Sequence, residues 1–530
     1  MKNALKFSLA TLLAGVILSS CRRGIELANW DMDVLVPVAH GTINFSDYDS
    51  DQNTYADANN LLHIVAEETL ISLGLDTLIG IPDYSIDTGF VVPISLNFPP
   101  GVPFFYQLDE TKFELKDVEL TYALIRESNI TIFLENTIDK PVLFQYGIYS
   151  ATLNGDTFLL EARIEANDTL NRTFTLDGYE LDLRGEDGMD FNTVVTFLQA
   201  MIHPDETQNH QFKAGDEFNV INTVTGVIPE YITGYFGNQT ILFEEDETLE
   251  VFNQFPFQSI NITDFDVNLT IDNGIGADLR LNVQRLGSAS TENGSSASLS
   301  HEIINNDQLI TRAINTYYLS DPVKHVQQKF SFTDENSNLD ELFELRPNRI
   351  LADLDIEVNP LGDASLGNDF AYYGHNLTAL MNMDVPLVFG AKGVGLSDTS
   401  EFKFNAPEPE NPLDRINNGS LNLIIENGYP VEAEIQVYLL DSLNNSLDSL
   451  FAKRALVSGA EENTLGQVEI PTRSQVEIPI DQGLFDELEM TKFIRVNTLL
   501  NTVGLDSIHL KSTSNITYSV VADINARTKK

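Results

Sequence analysis

Val267-Asn-Leu-Thr-Ile-Asp-Asn273-Gly-Ile-Gly276 is an alternating strand that closes on an acidic residue, an asparagine and a turn. The same order recurs as Ile130-Thr-Ile-Phe-Leu-Glu-Asn136-Thr-Ile-Asp-Lys-Pro141 and as Leu421-Asn-Leu-Ile-Ile-Glu-Asn427-Gly-Tyr-Pro430. Each copy leads into a second alternating strand, clearest in Ala277-Asp-Leu-Arg-Leu-Asn-Val283 and Val431-Glu-Ala-Glu-Ile-Gln-Val437. Each therefore reads as a β-hairpin whose Asn and Gly supply the turn. The asparagines stand 137 and 154 residues apart, a period that suits whole domains better than solenoid repeats. The stretch predicts an all-β chain of tandem immunoglobulin-like β-sandwich units with short accessory helices.

Working outward, the units are expected at 107–246, 247–400 and 401–530, behind an N-terminal anchor and β segment at 21–106 and a signal peptide at 1–20. A chain of 530 residues is too long for one core, and three or four domains are expected of it. Phe265, Val267, Leu269 and Ile271 alternate with Asp266, Asn268, Thr270 and Asp272, one face for a core and one for water. Trp30 to Pro37 reads as a first strand ending at its proline, and Leu62–Ala66 and Thr69–Leu73 as two more. Ala151 to Leu160 reads as a further hairpin, turning at Asn154-Gly155. Phe191 to His203 reads as a helix, because Val194, Val195, Leu198, Met201 and Ile202 share a helical face before Pro204. Shorter helices are expected at Leu339–Leu345 and around Leu484–Met490, and Ala406 to Pro412 has the prolines of an extended linker.

The formal net charge is −48, which repels nucleic acid and anionic lipid head groups, since both are held by Lys and Arg. Cys21 is the only cysteine, so an intrachain disulfide and a four-cysteine zinc site are excluded. It follows a basic start at Lys2 and Lys6 and an apolar run from Phe7 to Leu18, which is too short to span a bilayer and has the plan of an export signal. Leu18-Ser19-Ser20-Cys21 resembles the bacterial lipobox. The resemblance implies a mature chain that starts at Cys21, with a diacylglyceryl thioether and an amide-linked acyl chain. Each buried methylene contributes about 0.8 kcal/mol, so several chains hold such a protein on the membrane. Arg22 rather than Asp follows the cysteine, which favours the outer membrane.

Further along stand Trp30-Asp-Met-Asp-Val-Leu-Val-Pro37, Leu75-Asp-Thr-Leu-Ile-Gly-Ile-Pro82-Asp83, Phe98-Pro-Pro-Gly101 and Pro229-Glu-Tyr231-Ile-Thr-Gly-Tyr235-Phe-Gly237. Together with the lipidated cysteine they resemble a family of outer-membrane lipoproteins of Bacteroidetes type. The resemblance covers roughly the first 240 residues clearly and the rest loosely. It implies compartment and β architecture, and carries over no activity and no site residue. In that phylum an acidic cluster after the cysteine often accompanies surface export. Arg22 and Arg23 stand there in this chain, which leaves the face of the membrane open.

Chemistry is sparse in the sequence. There is no Gly-x-Ser-x-Gly elbow, no His-Glu-x-x-His, no P-loop and no dinucleotide fingerprint. Asp47-Tyr-Asp49-Ser-Asp51-Gln-Asn53 places oxygen ligands at alternate positions, as calcium requires, and is the candidate metal site, with a solvated acidic turn as the alternative. Gln52 and Ala58 occupy the EF-hand glycine and glutamate positions, so that motif itself fails. Glu244 to Glu247 reads as a charge run on a strand edge or loop. Phe104-Phe105-Tyr106, Tyr235-Phe236 and Tyr372-Tyr373 are candidates for stacking on sugar rings or for core packing. Asp-Thr-Leu and Asp-Ser-Leu/Ile triplets at Asp76, Asp168, Asp441, Asp448 and Asp506 resemble O-glycosylation sites of Bacteroidetes envelope proteins. The reading is a non-catalytic outer-membrane lipoprotein, an accessory or scaffold subunit bound to an outer-membrane barrel or other envelope protein. The alternative is a glycan-binding lipoprotein that captures polysaccharide for nutrition. A glycoside hydrolase needs two facing carboxylates, and sequence cannot locate them among 79 acids.

Overall fold

A computed structural model describes residues 29–48, 53–249, 259–262, 265–318, 320–404, 416–463, 468–502 and 508–529. Cys21 and its signal sequence lie outside them. The described residues are built almost wholly of antiparallel strands arranged as tandem β-sandwiches. They group into two compact units, one drawn from Met1–His63, Gln254–Thr263 and Pro386–Lys530, the other from Ile64–Asn253 and Asp264–Val385.

The chain opens with β1 (Asn29–Asn44), β2 (Leu62–Leu73) and β3 (Tyr84–Val91). β1 does not end at Pro37. It continues through a register shift between Pro37 and Ala39, because a proline without an N–H is tolerated at an edge-strand bulge. Leu62 to Leu73 is one strand where two were expected.

The first sandwich follows as β4 (Pro103–Lys112), β5 (Glu119–Asn136), β6 (Val142–Leu153), β7 (Asp156–Ile164), β8 (Asp168–Thr175), β9 (Thr193–Ile202) and β10 (Glu217–Tyr235). One layer runs β3-β10-β5-β8 and the other β4-β9-β6-β7, with the short strand Glu180–Asp182 pairing to both β5 and β6. β9 is a strand, not the helix expected from Val194, Val195, Leu198, Met201 and Ile202. It lies between β4 and β6 and is buried over nearly its whole length, so its apolar residues crowd both faces and imitate a helical period. β6 and β7 form the expected hairpin, with Asn154 at φ +54° and Gly155 at φ +89° in the turn.

The second sandwich takes β11 (Gln239–Thr248), β12 (Asp266–Asn273), β13 (Leu279–Ser290), β14 (Val326–Phe332) and β15 (Arg349–Val358). The short β16 (Asp369–Tyr372) and then β17 (Leu377–Pro386) follow. Its layers are β2-β17-β12-β14 and β11-β15-β13, and helix α1 (Leu339–Glu344) lies where a helix was expected. The third sandwich uses β18 (Val388–Glu401), β19 (Ile416–Asn427), β20 (Glu432–Leu440), β21 (Thr472–Pro479), α2 (Gln482–Met490), β22 (Phe493–Asn501) and β23 (Asn515–Lys529). Its layers run β1-β23-β19-β21 and β18-β22-β20. The three strand orders are the same, and the segment expected to form a separate N-terminal β region instead supplies a flanking strand to each sandwich. β1 serves the third, β2 the second and β3 the first.

The three repeated stretches end β5, β12 and β19, but they are not hairpins. β5 does not pair with β6, nor β12 with β13, nor β19 with β20; in each case the two arms lie in opposite layers. The turn is an arch between sheets, and its asparagine is buried: Asn136 is 1 % exposed, Asn273 and Asn427 0 %. Each Oδ1 accepts the N–H two residues on, at Ile138 (3.2 Å), Ile275 (2.9 Å) and Tyr429 (3.0 Å). Each Nδ2 donates to a carbonyl of a later segment, Glu165 (2.8 Å), Thr311 (2.9 Å) and Ser458 (3.0 Å). Turn polar groups inside a sandwich would otherwise be buried without partners, so the carboxamide is what lets the chain cross there.

Candidate binding site

β5 and β10 are 18 and 19 residues long and pair along their length, but their register slips repeatedly between Thr225 and Tyr231. Gly226 sits at φ +63° and donates its N–H to Asp83 Oδ1 (2.8 Å) instead of the ladder, and Pro229 has no N–H to give. The bulge opens a cavity of about 650 Å³ whose lining includes Arg126, Glu127, Asn129, Asp177 and Glu230. Arg126 Nη1 donates to Glu230 Oε2 at 2.7 Å, and its guanidinium carbon lies 4.2 Å from the centre of the Tyr373 ring. Tyr373 N–H donates to the Glu230 carbonyl at 2.9 Å. The bond to Glu230 raises Arg126 above its ordinary value, so the fork stays charged.

Tyrosines surround this pair. β16 adds to the edge of β10, placing Tyr372 opposite Tyr231 with ring centres 4.3 Å apart. Tyr122 follows at 6.0 Å from Tyr231, its phenol pushed up to about 12 by burial and then by Glu180. A small hairpin, Ile314–Asn315 with Val323–Lys324, carries Tyr317 and Tyr318, which are 84 % and 73 % exposed. Tyr317 adopts φ +60°, a conformation a bulky side chain rarely takes, held by its N–H to Asn315 Oδ1 at 2.9 Å. Asn315 Oδ1 also accepts the Tyr372 hydroxyl at 3.4 Å, so the exposed tip and the packed rings share one amide.

Beside the rings, His325 joins Asp272 Oδ2 (3.2 Å) through Nδ1 and His375 Nδ1 (3.0 Å) through Nε2. Burial, then the neighbouring His325, lowers His375 below the ordinary imidazole range. Behind them Asp369 is fully buried, taking the Phe236 N–H (3.1 Å), Asn359 Nδ2 (2.7 Å) and Arg312 Nη2 (3.5 Å). That carboxylate ties the end of β10 to the second sandwich, so the tyrosines stand on a fixed seam. The cavity itself offers the Arg126 guanidinium and the carboxylates of Glu127, Asp177 and Glu230, with Tyr373 packed on the guanidinium, chemistry suited to binding.

The sequence candidates scatter. Asp49 and Asp51 lie outside the described residues. Asp47 sits in a single 3-10 turn with its carboxylate accepting the Asn44 N–H at 3.1 Å, and Asn53 is half-buried nearby in sequence. Among the described residues no group of three or more His, Cys, Asp or Glu is placed to hold a metal, and no helix is long and apolar enough to cross a membrane. Glu244 to Glu247 lie on β11, the edge strand of its layer, where Asp246 pairs with Arg349. Phe104 packs in a core with Phe98, Phe212 and Phe218, and Phe236 is fully buried, so those rings are structural. Tyr372 and Tyr373 do reach the site. Thr77, Thr169 and Ser442, the hydroxyl residues of three of the glycosylation-like triplets, are exposed, while Asp506 lies outside the described residues. Arg126, Glu230 and Tyr317 were not singled out; Gly226 and Pro229 inside a strand-like run were the one signal that something interrupts β10.

No family model matches the chain, and no curated protein matches it. Among solved structures it is similar to one from Parabacteroides distasonis, a member of the Bacteroidetes, described as "a putative secreted protein". The identity is 14 % over 54 % of this chain and 82 % of that one, with a TM-score of 0.32. It is also similar to a Sulfolobus Turreted Icosahedral Virus structure, at 11 % identity over 85 % and 93 % of the two chains and a TM-score of 0.12.

Proposed function

We propose that the protein is a lipid-anchored lipoprotein of the outer membrane that works by binding, an accessory subunit that docks on an outer-membrane barrel or another envelope protein. The anchor is Cys21, carried by the lipobox-like Leu18-Ser19-Ser20-Cys21. The observation that carries the docking reading is the seam where Arg126, Glu230 and Tyr373 interlock, together with the exposed Tyr317 and Tyr318, whose hairpin is joined to Tyr372 through Asn315. Tyrosine, which buries much area at little entropic cost, and arginine, whose planar fork presents several donors at once, are enriched at the energetic centres of protein interfaces. Tyr317 supports the reading further, since it joins a left-handed backbone conformation to an exposed aromatic ring, a combination that points to display. The acidic surroundings favour a partner with a basic patch.

The test is recovery of the tagged, lipidated protein from native membranes in mild detergent, with co-purifying proteins identified by mass spectrometry. A stoichiometric partner that is lost from Arg126→Ala and from Tyr317→Ala is the expected result. A protein that comes down alone, or a partner unaffected by both changes, refutes it. The glycan-binding reading is favoured by a second feature, on the other layer of the first sandwich.

A further inference from the structure

The outer face of the β4-β9-β6-β7 layer carries two parallel rows of side chains across its strands. Antiparallel register sets Tyr106, Gln199, Gln145 and Glu161 in one row, and Leu108, Phe197, Gly147 and Leu159 in the next. Phe197 lies over Gly147, where a Cβ would come within 2.0 Å of its ring, so glycine is what lets the ring settle against the sheet. Tyr149 stacks on Phe197 with ring centres 4.6 Å apart and planes 21° from parallel. That stacking uses one face of the Tyr149 ring, and the residue is 49 % exposed. Tyr106, 59 % exposed, interacts with the Tyr149 phenol, and Leu159 is 57 % exposed. In the polar row Gln199 Nε2 donates to Gln145 Oε1 (3.2 Å) and Gln145 Nε2 to Glu161 Oε2 (2.7 Å). The side chains are therefore held in place before any ligand arrives.

We propose that this face binds a neutral polysaccharide, with pyranose rings stacked on Tyr149 and Tyr106 and their hydroxyls on Gln145, Gln199 and Glu161. A pyranose is apolar on its faces and polar around its rim. It therefore asks for aromatic faces flanked, in the same plane, by amides and carboxylates that can both donate and accept. A sheet that sets the exposed rings of Tyr149 and Tyr106 beside the hydrogen-bonded side chains of Gln199, Gln145 and Glu161 offers that pattern. Glu161 at the rim and a net charge of −48 exclude polyanionic glycans. The face shares no residue with the Arg126 seam, so each site survives the failure of the other.

The experiment is affinity electrophoresis followed by calorimetry of the full chain with laminarin, xylan and galactomannan, and with polygalacturonate as a charged comparison. At least one neutral polysaccharide is expected to bind. Tyr149→Ala is expected to weaken it by about tenfold, the loss of one stacked ring, and Gln145→Ala severalfold. Leu242→Ala, at an exposed position on β11 of the second sandwich, should leave binding unchanged. Tyr149 is surface-exposed, so its melting temperature should not move; Phe197→Ala is a second variant, interpreted only if its circular dichroism is native. The inference is overturned if none of the neutral polysaccharides binds, if Tyr149→Ala binds as wild type does, if polygalacturonate alone binds, or if sedimentation shows a dimer that Tyr149→Ala dissolves.

Discussion

Replacing Asn427 by alanine tests the central claim about the fold, that one carboxamide lets the chain cross between sheets. The side chain is fully buried. It accepts the Tyr429 N–H (3.0 Å) and donates to the carbonyls of Val431 (2.9 Å) and Ser458 (3.0 Å). Alanine removes these hydrogen bonds and strands two buried backbone groups, at Tyr429 and Val431, and the part-buried carbonyl of Ser458. Each bond contributes about 1 kcal/mol net, and each unsatisfied group costs roughly 1–3 kcal/mol when the turn cannot relax towards water. With partial relaxation the loss is about 3–5 kcal/mol. The assay is urea unfolding followed by fluorescence of Trp30, the only tryptophan, whose strand β1 pairs with β23 in the same sandwich as Asn427. For a slope near 2 kcal/mol/M the midpoint should fall by about 2 M with the slope unchanged. Asn418→Ala, exposed on the same strand, should stay within about 0.5 kcal/mol of wild type. Asn427→Asp keeps the acceptor for Tyr429 but loses both donors, so it should also destabilise. If Asn427→Ala matches Asn418→Ala, the arch does not depend on its asparagine and the reasoning fails.

Gly276→Ala should cost about 1–3 kcal/mol in thermal melts, because a Cβ would lie 2.1 Å from the Phe370 ring; an unchanged melt refutes the close approach. Burial lowers His375, so the unfolded chain binds its proton first as pH falls through about 6.5. Stability contributed there is present above that pH and is lost below it, and His375→Gln should flatten the slope of melting temperature between pH 7 and 5. Cys21→Ser should move the protein from the detergent phase to the aqueous phase in Triton X-114 partitioning, and retention in detergent would refute lipid anchoring at that residue. If Asp47, Asp49, Asp51 and Asn53 form a solvated acidic turn, the melting temperature should be the same in calcium and in EDTA; a higher melt in calcium that Asp49→Asn removes would refute this and assign calcium to the turn.

The strands themselves were legible because Phe265 to Ile271 alternate with period 2, and the helices near Leu339 and Leu484 were legible from apolar spacing and flanking prolines. What the copies at Asn136, Asn273 and Asn427 did not reveal is that their arms lie in different sheets. An arch and a hairpin share alternation, an Asn and a turn; they differ only in which distant strands flank each arm. The same blindness to distant pairing hid the fate of β1, β2 and β3. Phe191 to His203 misled for another reason: burial on both faces erases period 2, and the surviving clue was the β-branched run Thr193-Val-Val-Thr196. The seam was hidden because Arg126, Glu230 and Tyr373 come from three separate stretches, joined by a bulge whose only sequence trace is Gly226 and Pro229.

The order in which the N-terminal strands are handed out bears on mechanics. Asn29, where β1 begins, lies eight residues after Cys21, so any pull applied at Cys21 and resisted at the first sandwich enters the fold through β1. From there the covalent path runs through β2 and then β3, one flanking strand of each sandwich in series. β1 is fastened to β23 from Asn29 opposite Lys529 to Asn44 opposite Asn515, so that ladder holds β1 in the third sandwich while the tension itself is carried by the β1 backbone towards β2. The same nesting passes force from strand to strand without routing it through the three arches.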